Sequence, residues 1–292
     1  MSIKSPGIVV LTIAYHSHKA LKTLANDLAL QEEHPKKWIV VNNSPSSAGE
    51  IDLEIPFPFS VIVGDEGSGF SSGCNRGLDL LMRIGWDGWV WLLNPDIRLG
   101  DSSIIKRLRL FIESLPLTSL VGTAVINPEG NLEKSAGWID SGLNFRRRKV
   151  NQTLINSNQQ EPISVDWVSG CSMLIRPLSH FKKARFEASL PLYYEDMDFC
   201  LRLSKESSPV IWLPFISVIH SRGEGSQTSS TRRIRLSTCS YIRFLQRHRP
   251  GMVLFLRTLR ILANSLLRLP LTPLRSFAVL QGCVDAYLNP LA

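Results

Sequence analysis

Cysteine is scarce in this chain. The 292 residues hold five, Cys74, Cys171, Cys200, Cys239 and Cys283, and no two form a C-x-x-C pair. An odd, widely spaced set argues against a disulfide framework and against a zinc site, and it suits a reducing compartment. Long apolar runs are also missing, since no window reaches the roughly 18 uninterrupted apolar residues of a membrane span. The run at 8–14 is short and lacks a small-residue cleavage pattern, so a buried strand is expected there rather than a secretory signal. No internal repeat or low-complexity tract occurs, and a hydrophobic fraction of 44% excludes disorder and collagen. From Thr231 onward lysine is absent and acids nearly so. That stretch carries ten arginines against one acid, Asp285. The net charge of +8 therefore belongs to the C-terminal stretch, and the rest is near neutral. A division follows: a body over 1–230 and a basic helical appendage over 231–292.

What is present reads as alternating strands and helices. Residues 8–15, IVVLTIAY, are β-branched and apolar, as in a central parallel strand. A helix is expected over 18–31, strands over 38–44 and 59–65, and a helix through Met82 after the Gly67–Gly73 loop. A strand over 89–96 and a helix over 102–115 follow. This order predicts an α/β fold with a mostly parallel, Rossmann-like sheet, in which ligands bind at the carboxyl ends of the strands. Residues 121–165 look irregular, with short strands and a polar loop at 151–160. Strand character returns at 165–176, an acidic turn enters a helix over 192–203, and 209–220 suggests two short strands ending at a histidine.

Four constellations lie at or near such ends. Asn94-Pro95-Asp96 follows an apolar strand, where a carboxylate holds a hard cation against a diphosphate, although the same residues make ordinary turns. Glu195-Asp196-Met197-Asp198 follows two tyrosines. Three carboxylates in four residues raise one another's pKa and offer a general base, although a helix N-terminus also favours acids. His220, before Ser221-Arg222-Gly223, is a metal ligand or plain polar surface. Residues 66–77, EGSGFSSGCNRG, give glycines for close backbone approach, but no lysine of a phosphate loop.

Taken in order, IVVLTIAYHS, VVNNSPS, EGSGFSSGCNRGL, WLLNPDIRL, VSGCSMLIRP, LYYEDMDFCLRL and VIWLPFISVIHSRGEGS resemble glycosyltransferase family 2, in particular its rhamnosyltransferase-like members with the GT-A fold. The resemblance runs from about Ile8 to about Ser226. It implies that Thr12, Ala14 and Tyr15 line a nucleoside pocket and that Asn42 faces the base or ribose. It implies that Gly69, Phe70 and Asn75 shape the donor site. Asp96, with Asn94 at the first position of the motif, would bind Mg²⁺ or Mn²⁺, and His220 would add a further ligand. Asp196 would be the catalytic base, with Glu195 and Asp198 beside it, and the transfer would invert the anomeric centre. Three departures stand out. Asn42 and Asn94 replace the usual acids, and Ala184-Arg185-Phe186-Glu187 lacks the glycines common there.

In the appendage, Arg257, Arg260, Asn264 and Arg268 recur at three- and four-residue steps along an otherwise apolar segment, Met252–Leu269. This suits a helix in a membrane interface with arginines toward headgroups, or a helix packed on the body or at a homo-oligomer contact. No nucleic-acid module accompanies the arginines, and no nucleic-acid partner is expected. The expected protein is an inverting transferase that uses a nucleotide-diphosphate sugar, rhamnose by resemblance, and a glycan or lipid-linked glycan acceptor. It would work in surface-polysaccharide assembly, at the inner face of the cell membrane. A catalytically silent nucleotide-sugar-binding or scaffold protein of the same fold is the alternative.

Overall fold

The computed structural model describes residues 7–46, 51–116, 119–140, 147–156, 161–176, 185–221 and 230–288. Arg222, Gly223, Ala184 and the end of the polar loop, 157–160, lie outside them. The first half alternates as expected: β1 (Ile8–Ala14), α1 (His18–Ala29), β2 (Lys37–Asn42), β3 (Phe59–Val63), α2 (Gly69–Arg83), β4 (Trp89–Leu93), a two-residue β5 (Ile97–Arg98) and α3 (Ile104–Ile112). Then come β6 (Leu120–Ile126), β7 (Ala136–Ile139), β8 (Arg147–Lys149), α4 (Thr153–Asn156), β9 (Ile163–Ser164), β10 (Trp167–Val168) and β11 (Ser172–Ile175). The chain ends with α5 (Glu195–Ser204), β12 (Val210–His220), α6 (Ser230–His248), α7 (Gly251–Arg268) and α8 (Pro273–Leu288).

Among the described residues nine strands form one sheet in the order β3-β2-β1-β4-β11-β6-β12-β5, with β9 also on β12, and β10-β7-β8 form a small second sheet. The pairs β1–β2, β2–β3, β1–β4 and β6–β12 are parallel, while β11 runs antiparallel between β4 and β6. Helices cover both faces, which is why β1 carries no polar alternation. Its odd positions, Val9 and Leu11, join Leu78 of α2 and Phe199 of α5. Its even positions, Ile8 and Val10, join Leu21 and Leu24 of α1.

Two elements differ from the sequence expectation. Residues 120–126 form one seven-residue strand embedded in the main sheet rather than a short strand in an irregular segment, because β11 and β12 flank it on both edges. The two strands expected over 209–220 are one strand whose pairing jumps between Leu213 and Ser217. Pro214 sits in that jump, where a missing backbone donor costs no ladder bond. Of the placements its pattern allows, the C-terminal arginine segment takes packing on the body at its start. Phe244 and Leu245 of α6 and Val253 of α7 belong to the same core cluster as β1. Helix α8 lies against α6 at Gly282, where any side chain would meet the Arg235 carbonyl and Thr238.

Candidate active site

The turn after β4 carries Asp96, and the end of β12 carries His220. The sheet joins them, since His220 pairs with Ile97 of β5 and the Ser221 amide donates to the Asp96 carbonyl at 2.9 Å. Behind the turn, Asp27 of α1 accepts from Arg98 at 2.7 Å and from the Leu99 amide at 2.9 Å, which fixes β5. His220 Nε2 is 3.2 Å from Asp96 Oδ2, and its Nδ1 is 2.9 Å from Glu133 Oε2. Burial works against the imidazolium, yet the carboxylates of Asp96 and Glu133 hold its pKa above the ordinary value. The site therefore calls for positive charge between its acids.

A divalent cation fits that demand. Two neighbouring ligands of one octahedral Mg²⁺, each about 2.1 Å from the ion, stand about 3 Å apart, close to the Asp96–His220 separation. Glu133 would then fix the imidazole tautomer from behind, the usual carboxylate–histidine arrangement at metal sites. Among the described residues no group of three or more histidine, cysteine or acidic side chains has the arrangement of a self-sufficient metal centre. A cation here would need oxygens from a ligand to complete its shell.

The second acidic group opens α5. Tyr193 and Tyr194 both have left-handed backbone angles, φ 64° and 70°. Such strain persists in non-glycine residues only where the surroundings enforce it. Here the Tyr194 ring is packed 5.4 Å from both Tyr241 and Phe244 of α6. The bend aims Glu195 and Asp196 into the cleft. Asp196 Oδ2 accepts from the Gly170 amide at 3.1 Å and Oδ1 from the Met197 amide at 2.8 Å. A side chain at Gly170 would press on the Phe70 ring at 3.1 Å, so a glycine lets the backbone reach the carboxylate. Glu195 Oε2 is buried without a partner among the described residues. Burial, and then the charge of Asp196, push the Glu195 carboxyl up to about 8, so it stays neutral beside its neighbour at neutral pH.

One turn joins the two halves. Next to Gly170, the Cys171 carbonyl accepts from the Asn94 amide at 3.1 Å, and Cys171 Sγ from Asn94 Nδ2 at 3.3 Å. Burial pushes the Cys171 thiol up to about 12, and the negative charges of Asp96, Asp196 and Glu133 around it act in the same direction. Phe70, Asn94, Asp96, Glu195, Asp196 and His220 line one cleft of about 1120 Å³. Helices α6, α7 and α8 close its far side with Arg233, Asn264, Arg268 and Arg275. The polar stripe of α7 thus turns partly toward the cleft, while Phe255, Leu259 and Leu266 on its other side are exposed.

The other expected residues lie elsewhere. Asp198 is completely buried and does not line the cleft. It accepts from Arg202 Nε at 2.8 Å, and its other oxygen lies 2.8 Å from His248 Nε2 and 3.6 Å from Arg247. Four residues of helix separate Asp198 from Tyr194, whose carbonyl takes its amide, and this phase points its side chain at α6. Its expected place beside the base is corrected to a tie between α5 and α6. Thr12, at an even position of β1, faces α1 and accepts from Trp38 Nε1 at 3.0 Å. Asn75 is used up at both ends by the Phe186 backbone, at 2.9 and 3.0 Å. Neither Thr12 nor Asn75 lines the cleft. Ala14, Tyr15, Asn42 and Gly69 gather at the carboxyl ends of β1 and β2 and the start of α2. Asn42 Oδ1 is occupied by Ser44. The residue that knits this corner is Asn43, through the Ala14 and Gly69 carbonyls at 2.8 Å each. Sequence reasoning missed Glu133 and the turn of the arginines toward the cleft, while Asn43 lies in the strand end 42–44 that it marks. Glu133 lies in an irregular loop, where no pattern marks it.

The mostly parallel nine-stranded sheet with helices on both faces gives the chain a GT-A fold. No protein-family model matches the chain. It is 23% identical over 236 residues to the N-acetylglucosaminyl-diphospho-decaprenol L-rhamnosyltransferase of Mycobacterium tuberculosis, covering 74% of this chain and 76% of that one. It is 24% identical over 254 residues to rhamnosyltransferase WbbL of Escherichia coli, covering 83% and 94%. The structure of GalNAc-T7 with UDP, GalNAc and Mn²⁺ superposes with a TM-score of 0.56 at 12% identity, over 83% of this chain and 48% of that one. The chain thus spans about half the length of GalNAc-T7.

Proposed function

We propose that this chain is a metal-dependent, inverting glycosyltransferase of family 2. It would move a deoxyhexose, rhamnose first, from a nucleoside diphosphate to a sugar on a lipid-linked glycan in surface-polysaccharide assembly. The observation that carries this reading is the turn Gly170-Cys171, which ties Asp196 and the Asn94–Asp96 turn to one floor. In this reading Asp196, oriented by two amide donors, takes the proton of the acceptor hydroxyl. Glu195, kept neutral, leaves Asp196 as the basic member of the pair. Asp96 and His220 would hold Mg²⁺ or Mn²⁺, with Glu133 orienting His220. When bound, the cation neutralises charge growing on the departing diphosphate. Ala14, Tyr15, Asn42 and Gly69 would border the nucleoside, and Phe70 the sugar. The names of the two rhamnosyltransferases support the donor sugar and, for the mycobacterial one, a diphospho-lipid acceptor. The Mn²⁺ and UDP of GalNAc-T7 support a divalent cation.

No helix among the described residues is long and apolar enough to cross a membrane. Exposed Met252, Phe255, Leu256 and Leu259 on α7 support a peripheral position on the inner membrane face. The decisive experiment is a screen of dTDP-, UDP- and GDP-sugars with a short polyprenyl-diphosphate sugar as acceptor, run with Mg²⁺, Mn²⁺ or EDTA. Metal-dependent release of nucleoside diphosphate, abolished in Asp196→Asn, is expected. Release that survives EDTA would end the metal assignment, and no release with any donor would end the transferase reading.

A further inference from the structure

The cleft brings acids and arginines together. Asp96, Glu133 and Asp196 line it along with Lys134 and Lys149, while Arg233, Arg268 and Arg275 reach it from the three C-terminal helices. Arg268 is the last residue of α7, and Arg275 lies in the first turn of α8. The short reversal between them contains Pro270, and α8 starts at Pro273. It brings two guanidinium groups to one cleft edge. The same turn is apolar on its outer side, where Leu267, Leu271 and Leu274 are 77%, 82% and 74% exposed. Charge therefore faces the cleft and hydrocarbon faces outward within one helical reversal.

A nucleotide has no use for that hydrocarbon edge, and its diphosphate already has a place beside Asp96. A lipid whose phosphate groups adjoin an alkyl or isoprenoid chain matches both features. We propose that Arg268 and Arg275 form a second phosphate subsite, which binds the phosphate groups of the acceptor lipid, and that Leu267, Leu271 and Leu274 receive the start of its chain. This rests on the lipid-linked acceptor of the preceding reading and deepens it. Two planar guanidinium groups suit a diphosphate, since each offers paired donors to phosphate oxygens. The donor and acceptor diphosphates would then lie on opposite walls, with the reacting sugars between them.

The test is a set of titrations on the full chain, with farnesyl diphosphate, farnesol, inorganic pyrophosphate, and UDP and dTDP in the presence of Mn²⁺. The proteins are the parent, R268A/R275A, R268K/R275K, and R260A as a control on the same helix outside the cleft lining. Thermal melts establish that each variant is folded. Farnesyl diphosphate binding should weaken at least roughly tenfold in the alanine pair, less in the lysine pair, and stay near the parent value in R260A. Nucleoside diphosphate binding should stay unchanged, and farnesol and pyrophosphate should each bind more weakly than farnesyl diphosphate. An equal loss of UDP or dTDP binding in the alanine pair would assign the arginines to the donor and overturn the proposal. Unaltered farnesyl diphosphate binding would overturn it too. Sedimentation with phosphatidylglycerol vesicles separates acceptor capture from adsorption to the bilayer, and the alanine pair should sediment like the parent. Loss of sedimentation there would make the arginines bilayer contacts and sink the subsite. A parent chain that binds neither nucleoside diphosphate would instead sink the transferase reading, which the arginine outcomes leave untouched.

Discussion

The two walls of the cleft are built in different ways. On the sheet wall each acid has fixed neighbours: Asp96 has His220, Asp196 has two amides, and Glu133 has His220. Strand ends carry Asp96 and His220, the first turn of α5 carries Asp196, and a loop bonded to Val125 of β6 carries Glu133. The helical wall is held at its base, where α6 meets α5, while Arg268 and Arg275 on its far edge are exposed. Chemistry that needs a proton acceptor placed within a few tenths of an ångström calls for the first kind of wall. Binding a long, variable lipid is compatible with the second. One molecule thus spends its rigidity on the sheet side.

The largest effect that would sharpen this contrast is expected at Asp196. Asp196→Asn should lower kcat by about 10²–10⁴-fold with an unchanged melting temperature, measured as nucleoside diphosphate release. A fall in stability instead would make Asp196 structural and dissolve the contrast. Asp198 should behave in the opposite way. Removing a buried carboxylate that two arginines and a histidine surround costs about 3 kcal/mol. Asp198→Asn should therefore lower the denaturation midpoint while the folded fraction keeps much of its turnover. The pH dependence follows from the Asp198 pKa. Burial pushes it up, but His248, Arg202 and Arg247 outweigh burial and hold it below the ordinary value. Its contribution is present above the ordinary carboxylate range and is lost as pH falls through the depressed folded value. The parent's acid-induced loss of stability should be blunted in the variant.

A smaller effect is expected at Glu133. Glu133→Gln should raise the Mn²⁺ concentration for half-maximal activity about 10–100-fold, with little change at saturating metal. An unchanged metal titration would remove Glu133 from the site. The smallest is at Glu195. Glu195→Gln copies the neutral carboxyl, so activity near neutral pH should stay within about tenfold of the parent. Because the folded pKa is raised to about 8, the native state holds an extra proton from the ordinary carboxylate range up to that value. Stability of the parent should fall as pH rises across this window, and the variant should flatten that slope.

Much of the sheet was legible because buried parallel strands leave a strong mark: β1, β2 and β4 are nearly uniform apolar runs. Asp96, Glu195, Asp196 and His220 can be singled out in the sequence because they follow such runs or open a helix, and the fold brings the four to one cleft. Thr12 was misplaced because an unbroken apolar strand does not reveal which face is which. Asn75 and Asp198 were misplaced because a polar side chain in a motif can serve the neighbouring backbone or helix as readily as a ligand. The central place of strand β6 was not legible because its partners, β11 and β12, are about 50 and 90 residues away, and local patterning carries no trace of pairing at that distance.

Composition and periodicity alone determined that this chain buries an α/β sheet, places acids at its strand ends and gathers its positive charge after Thr231. They did so because periodicity and charge are properties of neighbours in the chain. Whether an arginine faced the cleft or the solvent, which carboxylate was tied to a cation, and which loop acid stood behind His220 depended on the folded chain. Those outcomes are set by helix phase and by packing between segments remote in sequence, and no local run of residues specifies either.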